Sequence, residues 1–143
     1  SRVDCVKLAG RKAIMWSLRQ HPKVLNLKFK PGVKRSDKVN ARVRYLEGDI
    51  TAAERPFWEA NFSTVPTMLS SKEKDAFIAS SLDGVSISSD AFFPFRDSID
   101  HASMCGVKYL VEPGGSNGDE AVIQACNQYG MTGIFTGIRL FHH

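Results

Sequence analysis

The sequence predicts an α/β fold, a mostly parallel sheet flanked by helices, with an α-helical N-terminal segment. Two observations predict it. From residue 84 onward, short apolar runs alternate with helix-like stretches in β-α-β-α-β order, the pattern of parallel strands joined by helical crossovers. Before that point apolar residues recur at helical spacing. A length of 143 residues, 43% hydrophobic and 24% charged, suffices for one domain with its own core. The expected division is a mostly helical segment over 1–82 and a β-α-β-α-β core over 83–143.

Residues 4–20, "DCVKLAGRKAIMWSLRQ", read as a helix capped by Asp4, with Val6, Ala9, Ala13 and Trp16–Ser17 near one face. The "HPKVL" that follows ends it, because the residue before Pro22 is pushed out of the helical region. "KPGV" at 30–33 is a turn. Further helices are expected over 37–46, near 52–61 and near 71–80, with a loop around Pro66. "GVSIS" (84–88) is a strand, and "DSIDHASMC" (97–105) is a helix closed by Gly106. "VKYLVE" (107–112) is the second strand, and "DEAVIQACNQY" (119–129) is a helix ended by Gly130. "TGIFTGIRLF" (132–141) is the last strand. Parallel strands present their loops, and usually their sites, at the carboxyl ends, which here means the segments after the first and second strands.

Charge is distributed unevenly. Residues 1–46 hold thirteen of the 19 Lys and Arg against two acids, Asp4 and Asp37, a net +11, whereas the remainder is −7. The densest part, "KFKPGVKRSDKVNARVR" (28–44), is either a solvated face or a surface for an anionic partner. Nucleic acid is one such partner, although Phe29 is the one aromatic in the run and gives base stacking little support. A phosphate ester or polycarboxylate fits as well. Cys5, Cys105 and Cys126 lack metal-type or CxxC spacing, which fits a reducing compartment, with the cytoplasm as the expectation, and argues against zinc. No apolar run has the length to span a membrane. The chain opens on Ser1 with a helical pattern already under way, as expected of a piece of a longer protein.

Two segments carry candidate chemistry. In "SISSDAFFPFRDSID" (86–100), Pro94 lacks an N–H and a central strand does not run through it. Its three phenyl rings, Phe92, Phe93 and Phe95, either plug the core beneath a loop or wall a pocket for a flat ligand whose polar edge Asp97 grips. In "EPGGSNGDE" (112–120), Ser116 or Asn117 is placed to cap the next helix, with Glu120 completing a capping box from Asn117. Gly114 and Gly115 allow a tight turn and close backbone approach, and the helix start offers N–H groups to an anion or carbonyl. Asp119 and Glu120 would repel a phosphate there, so a neutral heterocyclic edge is the better guest. Arg139 in "IRLFHH" reads as a clefted cation suited to phosphate or carboxylate. His21 and His101 read as surface residues. No nucleophile, metal or acid–base motif forms a self-sufficient active site.

"VSISSDAFFPFRDSID", "GVKYLVEPGGSNGDEAVIQAC", "IRLFHH" and the opening "SRVDCVKLAGRKAIMWSLRQHPKVLNLKFKPGVKR" closely resemble the bifunctional purine biosynthesis family, AICAR transformylase/IMP cyclohydrolase. The resemblance spans essentially the whole chain, most weakly over 45–82. It implies a transferase that moves a formyl group from 10-formyltetrahydrofolate to the amine of AICAR. The chain would be the C-terminal half of the transformylase domain, a lobe like the cytidine deaminase fold without its zinc. The rest of that domain, an IMP cyclohydrolase domain and a homodimer partner would lie outside it.

The resemblance implies AICAR contacts at Arg2, Phe92 and Arg139, the last reaching the phosphate across the dimer. It implies folate contacts at Val3, Asp97, Ser116 and Asn117. Asp90, with main-chain groups at Leu140 and His142, falls where some members hold a potassium ion, and the terminal histidines are then native. Family loops commonly read "PSGSAAD", so Gly114 and Asn117 depart from the pattern; the backbone contact at the loop is expected to survive, with the Asn117 side chain differing from the family's. The family's catalytic Lys-His pair matches nothing in this chain, so the chain by itself is expected not to transfer formyl groups.

Overall fold

A computed structural model describes residues 1–140 of the chain. By its contacts the chain forms two units, Ser1–Ile14 with the chain from Ala79 onward, and Met15–Ile78.

The first unit is built on a three-stranded parallel sheet in the order β1-β2-β3, from β1 (Val85–Ser88), β2 (Val107–Glu112) and β3 (Thr132–Phe135). Helix α6 (Asp97–Ser103) joins β1 to β2, and α7 (Asp119–Gln128) joins β2 to β3. Ile99, Ala102, Leu110, Val122, Ala125 and Cys126 close the core between sheet and helices, with Val6 of α1 (Arg2–Leu18) among them. Each buried Leu, Ile or Val side chain contributes roughly 1.5–3 kcal/mol.

Small residues bring α1 close. Val6, Ala9, Gly10 and Ala13 line one wall of a cavity of about 90 Å³ whose other wall includes Val85, Ile87 and Cys105. A Cβ on Gly10 would lie 2.5 Å from the Cys105 Sγ. Asp4 is not the cap of α1. Ser1 takes that place, its Oγ accepting from the Asp4 N–H and its carbonyl from the Cys5 N–H, while its hydroxyl donates to the Asp4 carboxylate. Trp16 is 66% exposed, and its neighbours Ser17 and Leu18 are the buried residues of that turn.

The last strand ends at Phe135, six residues before the expected end. The next two amides, Thr136 and Gly137, still donate to Glu112 and Pro113, but there β2 itself has ended. The chain then crosses toward β1, where the Leu140 N–H donates to the Asp90 carbonyl at 2.9 Å. Paired length is set by the neighbouring strand, not by the apolar pattern of the segment itself.

The second unit is helical, with α2 (Pro22–Leu25), α3 (Arg35–Glu47), α4 (Arg55–Glu59) and the opening of α5 (Ser71–Ser81). His21 caps α2, its Nδ1 accepting from the Lys23 N–H, so "HPKVL" forms a short helix of its own. Tyr45 and Trp58 stack in the core, and their polar ends are satisfied: Tyr45 donates to the Thr67 carbonyl at 2.7 Å and Trp58 to the Ala41 carbonyl at 3.0 Å. Arg44 gathers Glu47, Asp49 and Glu54 around one guanidinium. Among the described residues no helix is long and apolar enough to cross a membrane.

Candidate functional site

Two loops leave the carboxyl ends of β1 and β2, as parallel topology requires. In the first, Phe93 is 2% exposed and belongs to the core, whereas Phe92 and Phe95 are 38% and 68% exposed. The phenyl cluster therefore divides: one ring plugs the core, and the other two wall a hollow of about 580 Å³. Pro94 and Arg96 complete that wall, and Gly115, Ser116, Asn117 and Gly118 of the second loop face them. The loops meet backbone to backbone, since a Cβ on Gly118 would lie 2.2 Å from the Pro94 carbonyl oxygen.

The second loop is tied by Asp119, not by a capping box from Asn117. Its carboxylate accepts from the Gly115 N–H at 2.7 Å and the Ser116 N–H at 3.1 Å, and Ser116 Oγ accepts from the Gly118 N–H at 3.0 Å. Glu120 instead accepts from Gln124 at 3.2 Å. Gly114 and Gly115 have φ of 73° and 91°, the left-handed turn this wrapping requires. The Gly115 and Ser116 amides of the loop are thus engaged by a carboxylate, which further disfavours an anionic guest at this spot.

Arg96 is the cation of the wall. Its guanidinium donates to both Asp100 oxygens, at 3.1 and 2.9 Å, and to Gln128, while the Tyr129 hydroxyl donates to Asp100 at 2.7 Å. These donors hold the Asp100 carboxyl below its usual range, with Arg96 the larger cause, so the pair stays charged and fixed. Asp97 opens α6 half-buried directly after Arg96 and is not among the residues lining the hollow.

A second hollow of about 440 Å³ holds Arg2, Cys5, Ser89, Asp90 and Phe93. The Arg2 guanidinium donates to the Asp90 carboxylate, and the Leu140 amide reaches the Asp90 carbonyl, so the residue after Arg139 is tied here. Arg139 itself is exposed, not sunk in a cleft. Phe92 and Phe93, adjacent in the chain, each line one of the two hollows. The structure thus gathers Phe92, Ser116 and Asn117 at one place, and Arg2, Asp90 and Leu140 at the other. Val3 lies half-buried on α1.

The described residues do not fit a potassium ion at Asp90. Its carboxylate faces the Arg2 guanidinium and its carbonyl takes the Leu140 N–H, so a second cation would meet like charge. His142 lies outside the described residues. Among those residues no three His, Cys, Asp or Glu gather in a metal-binding group.

Sequence reasoning missed Glu112. It ends β2 on the same face as Leu110, two residues earlier, and is fully buried. Its Oε2 accepts from the Phe93 N–H at 2.9 Å, and its Oε1 has no hydrogen-bond partner. Burial pushes its carboxyl up from the usual 4.5, and the nearby Asp119 charge adds to this. "VKYLVE" gave no signal of it, because alternation sets Glu112 on one face with Lys108 and Leu110 and leaves Val107, Tyr109 and Val111 as the more apolar face.

In the helical unit, Lys38 Nζ and Arg42 Cζ lie 5.9 and 4.9 Å from the centre of the Phe29 ring, which stacks on Phe62. That ring is engaged, so the basic segment offers charge without a free stacking platform. No protein-family model matches the chain.

Proposed function

We propose that this chain is the C-terminal portion of an AICAR transformylase domain, supplying folate and nucleotide contacts for formyl transfer from 10-formyltetrahydrofolate. The observation that carries the reading is the convergence of Phe92, Ser116 and Asn117, distant in sequence, on one hollow at the carboxyl ends of the strands. Arg2 and the segment bearing Arg139 converge separately on Asp90. On this reading the aromatic wall takes the flat rings of the ligands. Asp97 takes the amidine-type edge of the pterin by charge-assisted hydrogen bonds. The two arginines meet the anionic nucleotide. The engaged amides at Gly115 and Ser116 suit a neutral heterocycle at the folate loop.

Calorimetric titration of the chain with 10-formylfolic acid tests this. Asp97→Ala is expected to weaken binding roughly 10- to 100-fold, the worth of hydrogen bonds to a charged group. Equal affinity of the two proteins contradicts the assignment.

The basic segment has a place in the same reading, steering anionic ligands by its field. Reversing Lys34 and Arg35 to glutamate is expected to weaken capture of an oligoglutamyl folate by roughly 2- to 5-fold per charge at low salt, with the difference fading as salt rises. Unchanged affinity at low salt refutes the steering role. Retention of the chain on immobilised nucleic acid at physiological salt would instead favour a nucleic-acid-binding module through residues 28–44.

A further inference from the structure

We propose that Glu112 is a positioning residue whose protonation state sets the placement of the two pocket loops, making the hollow between them pH-dependent. The inference goes beyond the functional reading and does not depend on which ligand the hollow takes.

It rests first on geometry. Glu112 lies beneath the junction of the loops, bound through Oε2 to the Phe93 amide of one and continuous through Pro113 with the other. Residues on either side of that amide, Phe92 and Pro94, line the hollow, and the Pro94 carbonyl abuts Gly118 across it. A change at the Glu112 carboxyl is therefore transmitted to both walls through one hydrogen bond and one backbone contact.

It rests second on what surrounds the carboxyl. The titratable groups toward it from α7 are Asp119 and Cys126, neither of them a cation. Asp100 of α6 is turned to Arg96 and Tyr129, and α6 contributes Ile99 and Ala102 to the core. Asp90, after β1, is held by Arg2, and β3 sets Phe135 opposite Glu112 in register. The Phe93 and Gly114 amides favour the carboxylate, but burial outweighs them, and among the described residues no cation faces the unpartnered Oε1, so the neutral acid is the form that suits the loops as they stand. Ionisation leaves Oε1 a bare charge, and admitting water to it requires the loops to move.

The sign follows. The folded-state value is raised, so the stability gained from the neutral form is complete below the unfolded value of 4.5 and is lost as pH rises through the folded one. Glu112→Gln keeps the shape and the acceptor without the charge. Its denaturant midpoint should exceed that of the wild type by a margin that grows with pH.

The deciding experiment is a pH titration of the whole chain, carrying ¹³C-labelled glutamate carboxyls and ¹⁵N amides, by nuclear magnetic resonance. The Glu112 carboxyl is expected to titrate above 4.5, with the amides of Phe92, Phe93, Gly114 and Gly115 shifting at the same midpoint. Glu112→Gln should remove that step from those amides alone. Titration of Glu112 at or below the ordinary value overturns the proposal. So do loop amides that ignore its midpoint, or a step that survives in Glu112→Gln. The wild-type titration decides the matter even if the variant folds poorly.

Discussion

Gly106→Ala is expected to destabilise the sheet-bearing unit by about 3–5 kcal/mol, a large part of the ~5–15 kcal/mol that holds a typical domain together. Two costs add. Gly106 has φ of 74°, a conformation that costs an L-residue roughly 1–2 kcal/mol. A Cβ there would lie 1.7 Å from the Leu82 carbonyl oxygen and 2.6 Å from its carbon, and backbone atoms cannot swing aside as a side chain can. The turn is also tied to the sheet, because the Gly106 carbonyl accepts from the Val85 N–H at 3.0 Å, where β1 begins to pair with β2. Relieving the clash therefore pulls on the first rung of the ladder. Gly130→Ala is the control: its φ of 65° carries the same conformational cost, but nothing lies within 4 Å of the added carbon. Urea unfolding followed by circular dichroism should show a clearly larger loss at Gly106. Equal losses would mean that the contact with Leu82 counts for nothing.

Gly118→Ala is expected to damage the site more than the fold. Its φ of −89° is open to any residue, so no backbone strain enters. What enters is a carbon 2.2 Å from the Pro94 carbonyl oxygen, at the place where the two loops meet. The loops must part, and Phe92 and Ser116 part with them. Affinity for 10-formylfolic acid should fall roughly tenfold or more, about 1.4 kcal/mol, while the urea midpoint falls less than in Gly106→Ala, where backbone strain adds to a closer clash. Unchanged affinity would show that the hollow between these loops is not where the ligand sits.

Elements whose signals are local were legible from the residues. The β-α-β-α-β alternation, the closing turn at Gly106 and the second strand, "VKYLVE", depend on neighbours in the chain, and the structure has them where the pattern puts them. The grouping of Phe92 with Ser116 and Asn117 followed from parallel topology, which sends both loops to one end of the sheet. What remained hidden was set by distant partners. The last strand stops at Phe135 because β2 stops, and no pattern within "TGIFTGIRLF" records that. The helix starts from Gly118 with no side-chain cap, instead of the expected Ser116 or Asn117, while the Asp119 carboxylate reaches back to the Gly115 and Ser116 N–H groups at once. The role of Glu112 exists only when Phe93, nineteen residues earlier, lies over it.

The measurement that tests the central claim most directly is amide shift mapping of the ¹⁵N-labelled chain during addition of 10-formylfolic acid and then AICAR. The account predicts that the folate analogue perturbs Phe92–Asp97 and Gly115–Gly118, and that AICAR perturbs Arg2, Asp90 and Phe92. Perturbations confined to residues 28–44, or scattered over the surface with both loops silent, would contradict it.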